Sequence, residues 1–223
     1  MSGGLDTQAL LRLMAWLSPA FPIGGFAWSG GLERAVHDGL VRTADDLSDW
    51  LATLMSHGGL WNDAVLFREA FGQFGNGAGL REASELGLAL AGSAERHAET
   101  LALGRAFVTA ASAWPAGVFE LLPADVPFPV AVGSVAAAHG VPAEKALAAY
   151  LHAAVSQSVS AAIRLGVCGQ SEGVAVIARL EAQIGEVAER ASGSMLDDFG
   201  SAAVQADIAS LRHERQHSRL FRS

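Results

Sequence analysis

An all-α fold is the class this sequence predicts, and three observations lead to it. Apolar residues recur at steps of three and four, as in Leu10, Leu13, Met14 and Leu17 or Leu47, Trp50, Leu51 and Leu54. No segment alternates apolar and polar residues in the manner of a strand. Most prolines, and residues suited to helix caps, fall between the periodic segments rather than inside them. Together these predict one compact domain over 1–223, built from roughly eight to ten helices.

The elements follow in order. Leu5 to Leu17 reads as a first helix, ended by Ser18-Pro19. The stretch Ser18 to Glu33 breaks the helical pattern with Pro19, Pro22, Gly24, Gly25, Gly30 and Gly31 among the aromatics Phe21, Phe26 and Trp28. Prolines fix φ and glycines admit backbone that other residues avoid, so this is an irregular segment whose polar groups need partners from the fold. It reads either as a buried connection or as a shaped contact surface. Gly31 to Val36 opens a short helix that stops near Asp38-Gly39, and Thr43 with Asp46 forms a capping-box signature ahead of the next one.

Trp61 to Phe71 is helical by pattern, and the run Gly72 to Gly79 is a loop. Asn76-Gly77 would suit a hairpin, but the flanks carry helical periodicity, which rules that out. Leu80 to Leu90 and Ser93 to Ala113 supply two more helices. Trp114 to Phe128 holds Pro115, Pro123 and Pro127 and is the longest non-helical connection. Its Val118, Phe119, Leu121 and Leu122 predict packing on the body rather than a solvated linker. Pro129 to His139, Pro142 to Leu165 and Gln170 to Ala191 complete the body, and the second of these is the predicted central core helix.

The last stretch, 207–223, is unusual in a chain of net charge −8. Arg212, Arg215, Arg219 and Arg222 recur at steps of three and four, which would place them on one face of a helix. Ile208, Leu211, Leu220 and Phe221 add apolar anchors. A solvated tail and an arginine-rich interaction hot spot both fit that composition.

Composition narrows the function classes. Hydrophobic residues make up 51% and charged residues 17%, which favours extensive helix burial or an apolar partner surface. The acidic balance speaks against a nucleic-acid binder. A single cysteine, Cys168, excludes an internal disulfide framework and fits a reducing compartment. Met1 to Asp6 lacks the basic and apolar regions of a signal peptide, and runs such as Val130 to Ala138 are too short to span a membrane, so the expected location is cytoplasmic.

Catalytic signatures do not assemble. Ser29 lies in Trp-Ser-Gly-Gly rather than a nucleophile elbow, and no phosphate-binding or dinucleotide loop occurs. His213 and His217 have the i, i+4 spacing of metal ligands but no third donor beside them. His97, between Glu95 and Glu99, reads as a surface or capping histidine, and Cys168 as a packed thiol. No catalytic residue, metal site or cofactor is therefore predicted.

The two unusual stretches carry a resemblance. Ser18 to Glu33 matches the pattern Ser-Pro-x-x-Pro-Ile-Gly-x-Phe-x-x-Ser-x-Gly-Leu-Glu. Ile208 to Ser223 is similar to Ile-Ala-Ser-Met-Arg-His-Glu-x-Gln-Tyr-Ser-Arg-Leu-Phe-Arg-Ser, with Leu211 for Met and His217 for Tyr. Glu99-Thr100-Leu101-x-x-Gly104-Arg105, Phe128-Pro129-Val130-Ala131-x-Gly133 and Ser160 to Leu165 followed by Gly169-Gln170 agree in register. On these residues the chain resembles the UreF family of urease accessory proteins, chaperones of nickel urease maturation.

That resemblance implies a non-enzymatic, all-α homodimer. It would bridge the accessory protein UreD (also called UreH) to the GTPase UreG on apo-urease, where GTP hydrolysis is coupled to nickel loading. It also implies that 207–223 is a tail that orders on the UreD/UreH partner, through Arg212, His213, Glu214, Arg215, Ser218, Arg219, Leu220, Phe221 and Arg222. Pro22, Ile23, Gly24, Phe26, Trp28, Ser29, Gly31, Leu32 and Glu33 would shape the dimer and receive the GTPase. The rival expectation is a regulator of GTP hydrolysis acting in trans through an arginine such as Arg34 or Arg164.

Overall fold

The structure, a computed structural model, describes residues 6–223. Met1 to Leu5, including the predicted start of the first helix and most of the segment read for a signal peptide, lies outside the described residues. Ten α-helices follow in order: α1 (Thr7–Trp16), α2 (Leu32–His37), α3 (Ala44–His57), α4 (Gly59–Gly72), α5 (Gly77–Ala89), α6 (Ala94–Ala111), α7 (Phe128–Ala138), α8 (Ala143–Arg164), α9 (Gln170–Ser192) and α10 (Val204–His213). Short 3₁₀ turns occupy Gly25–Ala27, Gly117–Glu120 and Leu196–Asp198, and no strand occurs among the described residues.

Local chemistry sets many of the helix starts. The Asp46 amide donates to Thr43 Oγ1 at 3.1 Å and the Thr43 amide donates back to Asp46 Oδ2 at 3.0 Å, closing the capping box of α3. Ser93 Oγ accepts from the Arg96 amide at the head of α6, and Glu172 accepts from the Gly169 amide at the head of α9. Asn76 caps α5 by accepting from the Gly79 amide. The predicted loop Gly72 to Gly79 is therefore shorter than expected, because a side-chain cap overrides the low helix propensity of Gly77 and Gly79.

α7 is the innermost helix. Pro129 to Ala136 is buried without interruption, and α4, α6 and α8 pack around it. The predicted centre was α8, whose Leu147, Leu151, Val155 and Ala162 are fully buried while its opposite side is only partly covered. α8 is long and apolar enough by composition to cross a membrane, but that apolar side is turned into the core. The difference between the two helices comes from close approach. A Cβ at Gly133 would collide with the Phe67 carbonyl, and one at Gly104 with the Val126 carbonyl. Glycines thus let α7 and its entry segment lie directly against α4 and α6. Val118 and Val126 of the long proline-rich connection are buried, as its apolar content predicts.

Candidate functional site

The irregular loop after α1 is held from several sides. Phe21 packs on Phe107 and Trp114, with ring centroids 5.7 and 6.4 Å apart. Gln157 Nε2 donates to the Gly25 carbonyl at 2.7 Å, and Arg164 donates to the Phe26 carbonyl at 2.5 Å. Gly31 takes φ +83° at the head of α2 and faces the backbone of Ser210 in α10, so conformation and space both call for glycine.

The C-terminal stretch completes this loop. The Arg222 amide donates to the Ala27 carbonyl at 2.8 Å, and the Ser29 amide to the Ser223 carbonyl at 3.0 Å. Ser29 Oγ also donates to the Ser223 carbonyl, and the Gly30 amide donates to Ser223 Oγ. Phe221 is buried beneath the Arg164 guanidinium, which lies 4.3 Å from its ring centroid. Segments almost two hundred residues apart in sequence therefore form one structural unit. The tail that the resemblance expected to order on a partner is seated on its own chain.

Glu33 is the centre of that seat. Its Oε1 accepts from the Leu220 amide at 2.6 Å, and its Oε2 accepts from the Phe221 amide at 2.9 Å and faces His213 Nε2 at 3.0 Å. Burial pushes the Glu33 pKa up, but the bonds from Leu220, His213 and Phe221 outweigh it and hold the carboxyl below its ordinary value. His213, with no exposed surface, also meets Glu95 at 2.6 Å through Nδ1, and Arg219 pairs with Glu95 from outside. Each ring nitrogen of His213 thus lies within hydrogen-bond distance of one carboxylate.

Below the tail lies a second layer of buried charge. Ser223 Oγ donates to Glu99 Oε2 at 3.2 Å, Arg96 pairs with Glu99 at 3.4 Å and with Asp63 at 2.5 Å, and Tyr150 donates to Asp63 at 3.1 Å. Burial lifts the Glu99 pKa, with Arg96 opposing it. Burial lowers the Arg96 pKa, but the charges of Asp63 and Glu99 more than reverse that. α4, α6, α8 and the chain end are thereby tied through one hydrogen-bonded network.

The predicted site residues divide by depth. Trp28, Ser29, Gly31, Leu32, Glu33, His213 and Phe221 are buried, so they build the platform. Ile23 and Gly24 are half-buried. Pro22, Phe26, Arg212, Glu214, Arg215, Ser218, Arg219, Leu220 and Arg222 are exposed. Phe26 leaves 75% of its surface open and Leu220 54%. Glu214 turns back to accept from the Ala94 amide at the head of α6.

One expectation fails here. The arginines do not share a helical face, because α10 stops at His213, where the chain turns to deliver its last residues to Glu33. Arg212 pairs with Asp38, Arg219 with Glu95, and Arg222 stacks on Trp28. His213 and His217, whose spacing alone suited metal ligands, lie apart in their surroundings: His213 is set between two carboxylates and His217 lies beyond the helix in solvent. No group of three or more potential ligands suits a metal ion among the described residues.

Several residues of the unit are not among the predicted site residues: Glu95, Arg96 and Glu99 on α6, Asp63, Tyr150 and Ser223. The available signal was Glu95-Arg96-x-x-Glu99, three charges on the first turns of a helix, which reads equally well as a solvated face. α10 carries a further outward stripe of Val204, Ile208 and Leu211, spaced i, i+4, i+7 and left 62%, 42% and 50% exposed.

A family model described as UreF matches residues 41–181. Relatives extend the likeness to both ends. The urease accessory protein UreF of Rhizobium leguminosarum bv. viciae is 63% identical over 223 residues, covering 100% of both chains. Those of Rhizobium etli (strain CIAT 652) and Rhizobium meliloti (strain 1021) are 64% and 56% identical over the same full length. With the model covering most of the chain and these relatives all of it, the chain belongs to the urease accessory protein UreF family.

Proposed function

We propose that this chain is a non-enzymatic assembly scaffold of urease maturation, bridging a UreD/UreH protein to the GTPase UreG on apo-urease while nickel, the cargo, is loaded. The observation that carries this reading is the joining of the two terminal motifs into one unit, buried and charge-locked below, apolar and basic above. Exposed Leu211, Leu220 and Phe26 beside Arg212, Arg215 and Arg222 have the make-up of a hot spot on a chain that is otherwise acidic. The α10 stripe and tail form the proposed UreD/UreH surface, and the Pro22 to Glu33 loop the proposed UreG surface.

Homodimerisation fits the outer face of α1, where Leu10, Leu11 and Met14 stand exposed together. A cytoplasmic setting fits the one unpaired cysteine. The trans-arginine reading is weaker, because Arg34 is paired with Asp38 and Arg164 is bonded to Phe26 and stacked on Phe221.

Co-expression with the UreD/UreH protein tests the proposal. Ile208→Asp with Leu211→Asp, both on exposed positions, is expected to abolish co-purification while the far-ultraviolet circular dichroism and melting temperature stay as in the wild type. Val174→Asp, exposed on α9, is the control that should leave the complex intact. Full retention of the partner by the α10 double variant would remove α10 from the interface and the main support for this reading.

A further inference from the structure

α1 meets the body through a small face of Ala9, Leu13 and Trp16. Trp16 is wholly buried, with ring centroids 6.4 Å from Phe107, 5.9 Å from Trp114 and 5.2 Å from His139, the residue that ends α7. Arg12 lies one turn before Trp16 on the same side of the helix. Arg12 Nε, Trp16 Nε1 and His139 Nε2 are all buried atoms without a protein hydrogen-bond partner. Among the described residues only one other side-chain atom, Gln216 Oε1, shares that condition, so three of the four gather at this one junction.

Their chemistry is complementary to a single ligand. Arginine Nε and indole Nε1 donate only. His139 donates a ring N–H to the Trp114 backbone carbonyl, and burial followed by the nearby Arg12 charge holds its pKa below the ordinary value, which favours the neutral ring. Nε2 of that ring is then an acceptor. Two donors and one acceptor gather at this junction, with Arg12 the charged group that bears on His139 from α1 and the uncharged Trp16 and Trp114 packed around it. An anion would meet the His139 lone pair, and a cation would meet two donors. A water molecule satisfies all three, accepting twice and donating once.

We propose that Arg12, Trp16 and His139 form a binding site for one water molecule that fastens α1 to the end of α7. The consequence concerns α1 as a whole. The helix that carries the exposed Leu10, Leu11 and Met14 face is seated by a hydrated polar contact as well as by its small apolar face.

Two measurements on the full chain test this. A crystal structure fine enough to show ordered solvent is expected to place a water within about 3.2 Å of at least two of the three atoms. Amide exchange of α1 is expected to lose about tenfold in protection in His139→Phe, as for the loss of one bridging hydrogen bond, and to recover most of it in His139→Gln, which restores a polar acceptor. Density fitting chloride rather than water, direct contact among the three side chains, or unchanged exchange in His139→Phe would overturn the proposal. Equal loss in the Phe and Gln variants would do the same, since it would assign the effect to ring shape rather than to hydrogen bonding.

Discussion

Replacing Glu33 by glutamine isolates what the carboxylate contributes to seating the tail, because volume barely changes while one charge and one acceptor oxygen are lost. The two oxygens now serve the Leu220 amide, the Phe221 amide and His213. Glutamine keeps an acceptor on one side and turns an NH₂ group toward donors on the other. Hydrogen bonds to a charged group contribute about 1.5–3 kcal/mol each, and a buried donor left unpaired costs about 1–3 kcal/mol. With one bond kept in weaker form and at least one donor stranded, the tail is destabilised by about 3 kcal/mol, on the order of a hundredfold in its opening equilibrium. The tail is a terminal segment, so it opens locally and the rest of the fold stays closed. Native-state amide exchange at Leu220 and Phe221 is the direct assay. Both amides are expected to exchange about a hundredfold faster in Glu33→Gln, with α4 and α7 unchanged. Protection within about threefold of wild type, well under 1 kcal/mol, would refute the assignment of Glu33 as the centre of the seat.

Further expectations concern packing and pH. Gly104→Ala drives a methyl group into the Val126 carbonyl. Overpacking of this kind costs about 3 kcal/mol where backbone cannot yield, so the melting temperature should fall by roughly 6–12 °C by calorimetry. An unchanged melting temperature would show that the α6 contact is slack. On acidification, groups whose folded pKa is depressed lose their contribution below their ordinary value. His139 starts to destabilise the fold below its ordinary 6.5, and Glu33 only below 4.5. Glu99, raised above 4.5 by burial, has the opposite sign, since its protonation relieves a burial cost. Residue-resolved exchange between neutral pH and 4.5 should therefore show α1 loosening while Leu220 and Phe221 stay protected. Simultaneous loss at both ends would contradict that order.

What could be read from the residues alone was whatever is encoded within a few positions of itself. Thr43 and Asp46 announce the start of α3 because both halves of a capping box sit three residues apart. Pro19 ends α1 because proline acts on its own φ and on its predecessor. Helical periodicity likewise identified nearly every helix, with ends displaced by one to three residues where a cap such as Asn76 recruited flanking glycines. The two terminal stretches were recognisable as unusual, and their residues pack into one structural unit.

That they belong to it together was decided only by the tertiary structure. Glu33 and His213 are 180 positions apart, and nothing periodic in either neighbourhood announces the other. The arginines of 212–222 looked like a helical face because spacing is local, yet α10 stops at His213 and the chain beyond it leaves the helix to seat the Leu220 and Phe221 amides on Glu33. Asp63, Arg96, Glu99 and Tyr150 lie on three different helices, and only the fold brings them into one buried network. Which helix is central was likewise undecidable from apolar content, because it depends on Gly104 and Gly133 meeting particular carbonyls across the core. Local sequence determines which segments coil, since a helix closes its hydrogen bonds within itself. Long-range burial determines which charges find each other, since an ion pair in the interior exists only once the chain has paid to bring both ends there.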